Sequence, residues 1–172
     1  ACFISVLMIV RDATSSPPSD EIMQSNTFEG AGPKLSMDDL KNLERKLEVA
    51  LPSSFIDFYL RFNGGQPTLD WVPGSLRWEP TIVQEFYSIN PLGSSQESED
   101  IYSHYERLVK KSLISKNTLP FAVDPGGNFY ALDLISKKIT YIITEGQFQK
   151  REISKSFSEF IQSLTDEDSA YG

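Results

Sequence analysis

The chain has 172 residues, 40% hydrophobic and 12% aromatic, which suits one core-forming domain and excludes a chain that is disordered for most of its length. Lys and Arg number 16 against 24 Asp and Glu, a formal charge of −8 that disfavours nucleic-acid phosphates and favours a basic protein partner. One Cys (Cys2) and one His (His104) exclude an internal disulfide framework and a zinc cluster, so a reducing compartment is the simpler reading, although a small bacterial secreted protein can also lack bridges.

In chain order, the apolar run Ala1–Val10 is too short to cross a bilayer as a helix, and no positive stretch precedes it as in a signal peptide. Thr14 to Asp20, with Pro17 and Pro18, reads as a linker. Two readings of residues 1–22 stand open. They are an upstream read-through or appended segment, with Met23 as the natural start, or they contain a β-strand of the fold. They carry Arg11, Asp12, Asp20 and Glu21, so the charge without them is still −6. The expected organisation is an N-terminal extension or linker over 1–34, a domain over 35–165 and an acidic, frayed tail over 166–172.

Ser36 followed by Asp39 predicts a capping box, with Leu35 and Leu40 as a hydrophobic staple. Leu40, Leu43 and Leu47 then recur at helical spacing and predict a helix over 36–49. Pro52 opens a second helix with Phe55, Phe58, Tyr59 and Phe62 on one face. Asn63-Gly64-Gly65 is expected to stop it through a left-handed C-cap. After Gly65 the period changes, and Thr68–Trp71 and Ile82–Ile89 predict strands. A third helix is expected from about Glu99 to Leu113, with Ile101, Tyr105 and Leu108 inward. Leu119–Val123, Phe129–Leu134, Lys138–Ile143 and Gln147–Ile153 read as strands, the last three forming an antiparallel meander. Ser156 and Glu159 predict a second capping box before a closing helix with Phe157, Phe160, Ile161 and Leu164 on one face. Helices segregated from an antiparallel sheet define the α+β class.

Each candidate site has a plainer alternative. His104 reads as a solvated residue on an exposed helix face rather than a general base, since no nucleophile motif accompanies it. Asp124-Pro125-Gly126-Gly127-Asn128 lacks the Lys-Ser/Thr of a phosphate loop and precedes a strand, so it reads as a β-turn. Asp57, Asp70, Glu79, Glu85 and Asp133 all lie near structured segments. Nothing in the sequence brings two of them to a hydrolytic separation. Asp133 shares a strand face with Phe129 and Ala131, where it is either buried and hydrogen-bonded or part of a binding face. Trp71 and Trp78 bracket a loop containing Pro73, Gly74 and Arg77. They suit a binding hot spot, but at least one of them is expected in the core beside the Phe55–Phe62 stripe. Glu97, Glu99 and Asp100 suit either a basic partner or a solvated loop.

Three segments resemble the SUKH superfamily, the Knr4/Smi1-like group that includes yeast cell-wall synthesis regulators and many bacterial immunity proteins. The first joins Leu43-Glu44, Leu47, Leu51-Pro52-Ser53-Ser54-Phe55, Phe58-Tyr59 and Asn63-Gly64-Gly65. The second joins Leu119–Asp124 to Gly127–Asp133, and the third is Ser156-Phe157 with Phe160-Ile161 and Leu164. Together they cover about residues 35–165. The resemblance implies an α+β fold with a central, mostly antiparallel sheet flanked by helices. It implies no catalytic residues, cofactor or metal. Bacterial members of the group typically neutralise a cognate polymorphic or contact-dependent toxin, often a nuclease, in the producing cell's cytoplasm, so the resemblance implies a cytoplasmic location. The expected partner is therefore a toxin domain with a basic surface, with no direct contact to nucleic acid or membrane. The oligomeric state stays open. The expected contact residues are Asp70, Trp71, Trp78, Glu79, Glu85 and Asp133. A general interaction or regulatory module is the alternative, and a carboxylate hydrolase ranks third.

Overall fold

Two helices form where the leucine and phenylalanine spacing requires them. The computed structural model describes residues 26–95 and 99–172; the expectations for residues 1–22, Cys2 and Glu97 lie outside these. Helix α1 (Met37–Leu47) starts at a complete capping box, in which Ser36 Oγ accepts from Asp39 N–H and the Asp39 carboxylate accepts from Ser36 N–H. Leu40, Leu43 and Leu47 are buried. The other Asp39 oxygen accepts from Leu92 N–H at 2.7 Å, tying the start of α1 to a distant loop. Burial opposes the charge on Asp39, but the Leu92 and Ser36 donors outweigh it and hold the carboxyl below its ordinary value. Helix α2 (Ser53–Arg61) follows Pro52 and buries Phe55, Phe58 and Tyr59.

The end of α2 differs from the expectation. Phe62 is extended, so the helix stops before the glycines rather than through them. Gly64 and Gly65 do have positive φ, yet their use is close approach. A Cβ on Gly64 would lie 2.6 Å from the Phe86 carbonyl oxygen, and one on Gly65 would lie 2.7 Å from that of Glu29.

The main sheet is a five-stranded antiparallel meander of β5 (Glu85–Phe86), β6 (Thr118–Val123), β7 (Phe129–Asp133), β8 (Ile139–Ile143) and β9 (Gln149–Ser154). Two small antiparallel ribbons accompany it: β1 (Phe28–Glu29) with β2 (Gln66–Pro67), and β3 (Trp71–Val72) with β4 (Thr81–Ile82). Helix α3 (Ile101–Lys110) lies between β5 and β6, and α4 (Phe157–Ser163) and α5 (Glu167–Tyr171) close the chain. The α+β class is therefore as expected. Phe55, Phe58, Phe86, Phe121, Phe157 and Phe160, drawn from α2, β5, β6 and α4, are essentially unexposed and form the centre of the core. Ring centroids 4.9 Å apart for Phe55–Phe157 and 5.1 Å for Phe58–Phe86 show direct packing. Each such ring contributes about 1.5–3 kcal/mol of burial free energy.

Both chain ends of the described part are tied down, the N-terminal one into this core. Within the expected extension, residues 26–34 are structured: the Phe28 ring packs on Phe58, Phe62 and Phe86 at 5.0, 4.8 and 5.4 Å. Asn26 is buried, donating to the Leu69 carbonyl and accepting from Thr68 and Leu69 N–H. Asn63 is the matching clamp at the end of α2, donating to the Pro33 and Ile89 carbonyls and accepting from Ile89 N–H at 2.7 Å. The expected frayed tail is instead α5, capped by Asp166, which accepts from Ser169 N–H, and it buries Ala170.

Candidate binding surface

Asp70, Trp71, Trp78 and Glu79 all lie on one hairpin, the one that β3 and β4 form. Trp71 pairs with Ile82 and Val72 with Thr81, and the Asp70 carbonyl accepts from Val83 N–H. Trp71 also exchanges two backbone hydrogen bonds with Thr165, which places α5 beside the hairpin. At the far end of the loop, Ser75 and Trp78 exchange backbone hydrogen bonds of 2.8 and 3.3 Å, leaving Leu76 and Arg77 at the tip. Gly74 is required there, since a Cβ would lie 2.7 Å from the Trp78 carbonyl oxygen. The hairpin is fastened to the sheet by Tyr130, whose hydroxyl bonds Thr81 Oγ1 at 2.9 Å and the Ile82 carbonyl at 3.0 Å. Burial pushes the Tyr130 pKa up, so the hydroxyl remains a donor.

The Arg151 guanidinium of β9 lies 4.5 Å from the Trp78 ring centroid, a cation–π contact that orients the indole. The Trp71 and Tyr171 rings are 5.6 Å apart. Between the loop and α5 runs an open groove of about 520 Å³, with Pro73, Leu76, Trp78, Pro80 and Tyr171 in its walls.

Neither tryptophan fills the core, contrary to the expectation for at least one of them. Trp71 is half-buried and Trp78 is 36% exposed. Phenylalanines from α2, β5, β6 and α4 occupy the interior, and the hairpin is left at the periphery. Glu85 is exposed on β5, the strand at the opposite edge of the sheet from β9. Asp133 stands apart from the group, at the other end of β7 from the Asp124 turn. Its carboxylate accepts from Ile135 and Ser136 N–H, so it shapes the β7–β8 turn. Burial opposes its charge, but those donors and Lys150 lower its pKa. Leu76 and Tyr171 belong to the same surface and were missed. Leu76 had only its place between Pro73 and Pro80 to mark it, and Tyr171 sat in a segment read as a tail.

The other candidates resolve into structural roles. His104 is not on a solvated face. Its ring stacks on Tyr87 at 3.9 Å, and its Nδ1 accepts from Arg107 at 2.8 Å. Arg107 also pairs with Glu99. Desolvation and the neighbouring Arg107 charge lower the His104 pKa, while desolvation raises that of Tyr87 to about 12. Asp100 caps α3, accepting from Ser103 N–H and Asn90 N–H. In the Gly126-Gly127 turn, the Asp124 carboxylate accepts from Gly126 N–H and Asn128 N–H, each at 2.8 Å. Those are the donors a phosphate would use, and they are already taken. Tyr141 also donates to Asp124, and burial with that bond raises the Tyr141 pKa to about 12. Among the described residues, no three His, Cys, Asp or Glu side chains are grouped to hold a metal ion. No helix among them is long and apolar enough to cross a membrane.

The class these features define is an α+β protein built on an antiparallel meander, with an aromatic hairpin fastened over one end of the sheet. The model of the SMI1 / KNR4 family (SUKH-1) matches residues 34–163, and the chain belongs to that family, as the order of its motifs suggested. Over 151 residues it is 26% identical to a Bacillus subtilis (strain 168) protein described as SPbeta prophage-derived uncharacterized protein YokK. That match covers 76% of this chain and 74% of the relative.

Proposed function

We propose that this protein is an immunity protein that binds a cognate toxin domain in the cytoplasm and neutralises it by protein–protein contact, without catalysis. Family membership over residues 34–163 carries the reading, because bacterial SUKH members typically neutralise toxins. Two features support it. The charge of −8 suits a toxin with a basic substrate groove, such as a nuclease. Asp39, Asp100, Asp124 and Asp133 all turn their carboxylates to backbone N–H groups, which makes them parts of the scaffold. Co-expression with toxin domains sought among the adjacent genes tests the proposal. Cells carrying both should survive, and equal killing with and without this protein would sink the idea. The breadth of the family, which includes yeast regulators, favours a general interaction module as the second reading. Capture of housekeeping partners with no adjacent toxin gene would point there.

A further inference from the structure

Leu76 is 108% exposed, with Trp78 at 36% and Tyr171 at 61% nearby, around one groove. Large apolar side chains grouped on a surface mark a place that another surface covers. The loop that carries Leu76 and Trp78 is also closed on itself. Ser75 and Trp78 close it with two backbone hydrogen bonds, and Pro73 and Pro80 flank it. Gly74 is packed against Pro80, and Arg151 clamps the indole. A pre-ordered tip loses little freedom when a partner closes over it, and Trp and Tyr are the usual anchors of such contacts.

Charge selects the occupant. Asp70 and Asp166 flank the Trp71–Thr165 bridge, and Glu79, Glu167 and Asp168 are exposed beside the groove's two walls. Against these five carboxylates stand Arg77 at the tip and Arg151 over the indole. A second copy of this chain would set the same acidic rim against itself, and an anionic bilayer would repel it. A basic protein surface with an apolar recess gains on both counts. We propose that the Leu76–Trp78 tip, with Tyr171 beside it, is the knob that enters an apolar pocket of the toxin, its acidic rim meeting Lys and Arg around that pocket. The inference rests on the immunity reading.

The test titrates, against the full chain, an inactivated form of any toxin domain that a search of the adjacent genes yields. Leu76→Ser should weaken binding about 10- to 30-fold, mainly through faster dissociation. Glu79→Lys with Asp168→Lys should slow association about tenfold and flatten its salt dependence. Glu106→Lys on α3 should change neither. An unaltered melting midpoint for Leu76→Ser would show that the loss is not one of folding. If the wild type binds and Leu76→Ser and Trp78→Ser bind within twofold of it, the knob is elsewhere and the immunity reading survives. If the wild-type protein neither binds nor protects, that reading falls and takes the knob with it. A dimer in sedimentation, or capture by phosphatidylserine vesicles, that Leu76→Ser abolishes would overturn the assignment by giving the tip another occupant.

Discussion

Phe58 and Trp78 are both large aromatic side chains, and the molecule treats them in opposite ways. Phe58 is fully enclosed, touching rings from β1, α2, β5 and α4. Among the described residues, the partner over the Trp78 ring is the Arg151 guanidinium, and the indole stays partly in water. The difference lies in how many elements converge on each position, not in residue type. Substitutions in the phenylalanine cluster should therefore register as stability, and substitutions in the hairpin tip as recognition.

The largest expected effect tests the enclosed side. Phe86→Ala should cost about 3–5 kcal/mol in chemical denaturation, since the rings of Phe28, Phe58, Phe121 and Phe160 all lose a neighbour. A loss under ~1 kcal/mol would mean that the cluster is not the keystone of the core. Asn63→Ala should cost about 2–3 kcal/mol, because it strands the buried Ile89 backbone groups and frees the Pro33 carbonyl. Asp39→Asn should cost about 1–2 kcal/mol by weakening the cap and the Leu92 tie. The Asp39 pKa is depressed in the folded state, so its contribution is complete above the ordinary value of 3.8 and disappears as pH falls through the lower folded value. An acid titration of wild type and Asp39→Asn should then converge at low pH, and parallel curves would refute that role.

A smaller, pH-dependent effect is expected at His104. Its folded pKa is lowered from 6.5, so stability is full above that value and declines as acid protonates the unfolded chain first. Replacing it with Phe should preserve stacking on Tyr87 and flatten the melting midpoint between pH 7 and 5. The smallest expected effect closes the comparison from the exposed side. Leu76→Ser should change stability by no more than about 0.5 kcal/mol, because its side chain is already in water.

Local pattern made much of the fold legible. Ser36 with Asp39 and the Leu40–Leu47 period marked α1, and alternation with short turns marked β7 to β9. Both signals lie within a few residues of chain. The two-residue strands β1 to β4 carry no period at all, so residues 26–34 read as a linker although Phe28 is wedged among core rings. Asn26 and Asn63 act on partners dozens of positions away. His104 likewise meets Tyr87 across a sequence gap no helical pattern reports. For the candidate surface, Trp71 and Trp78 stood out by type, and the intervening Pro and Gly suggested a loop. Their exposure was not legible, because it depends on which rings win places in the interior. Asp133 was prominent for sitting between leucines in a strand, yet the N–H groups it serves belong to the following turn.

The family match begins at residue 34, but the physical unit does not. A recombinant fragment cut there would lack Asn26, leaving Thr68 and Leu69 N–H without their acceptor, and would lack Phe28, baring one side of Phe58 and Phe86. Its newly exposed rings and the unzipped partner of β1 would make it sticky and prone to aggregate during purification. The piece that can be expressed and handled is longer at its N-terminal side than the piece that homology outlines.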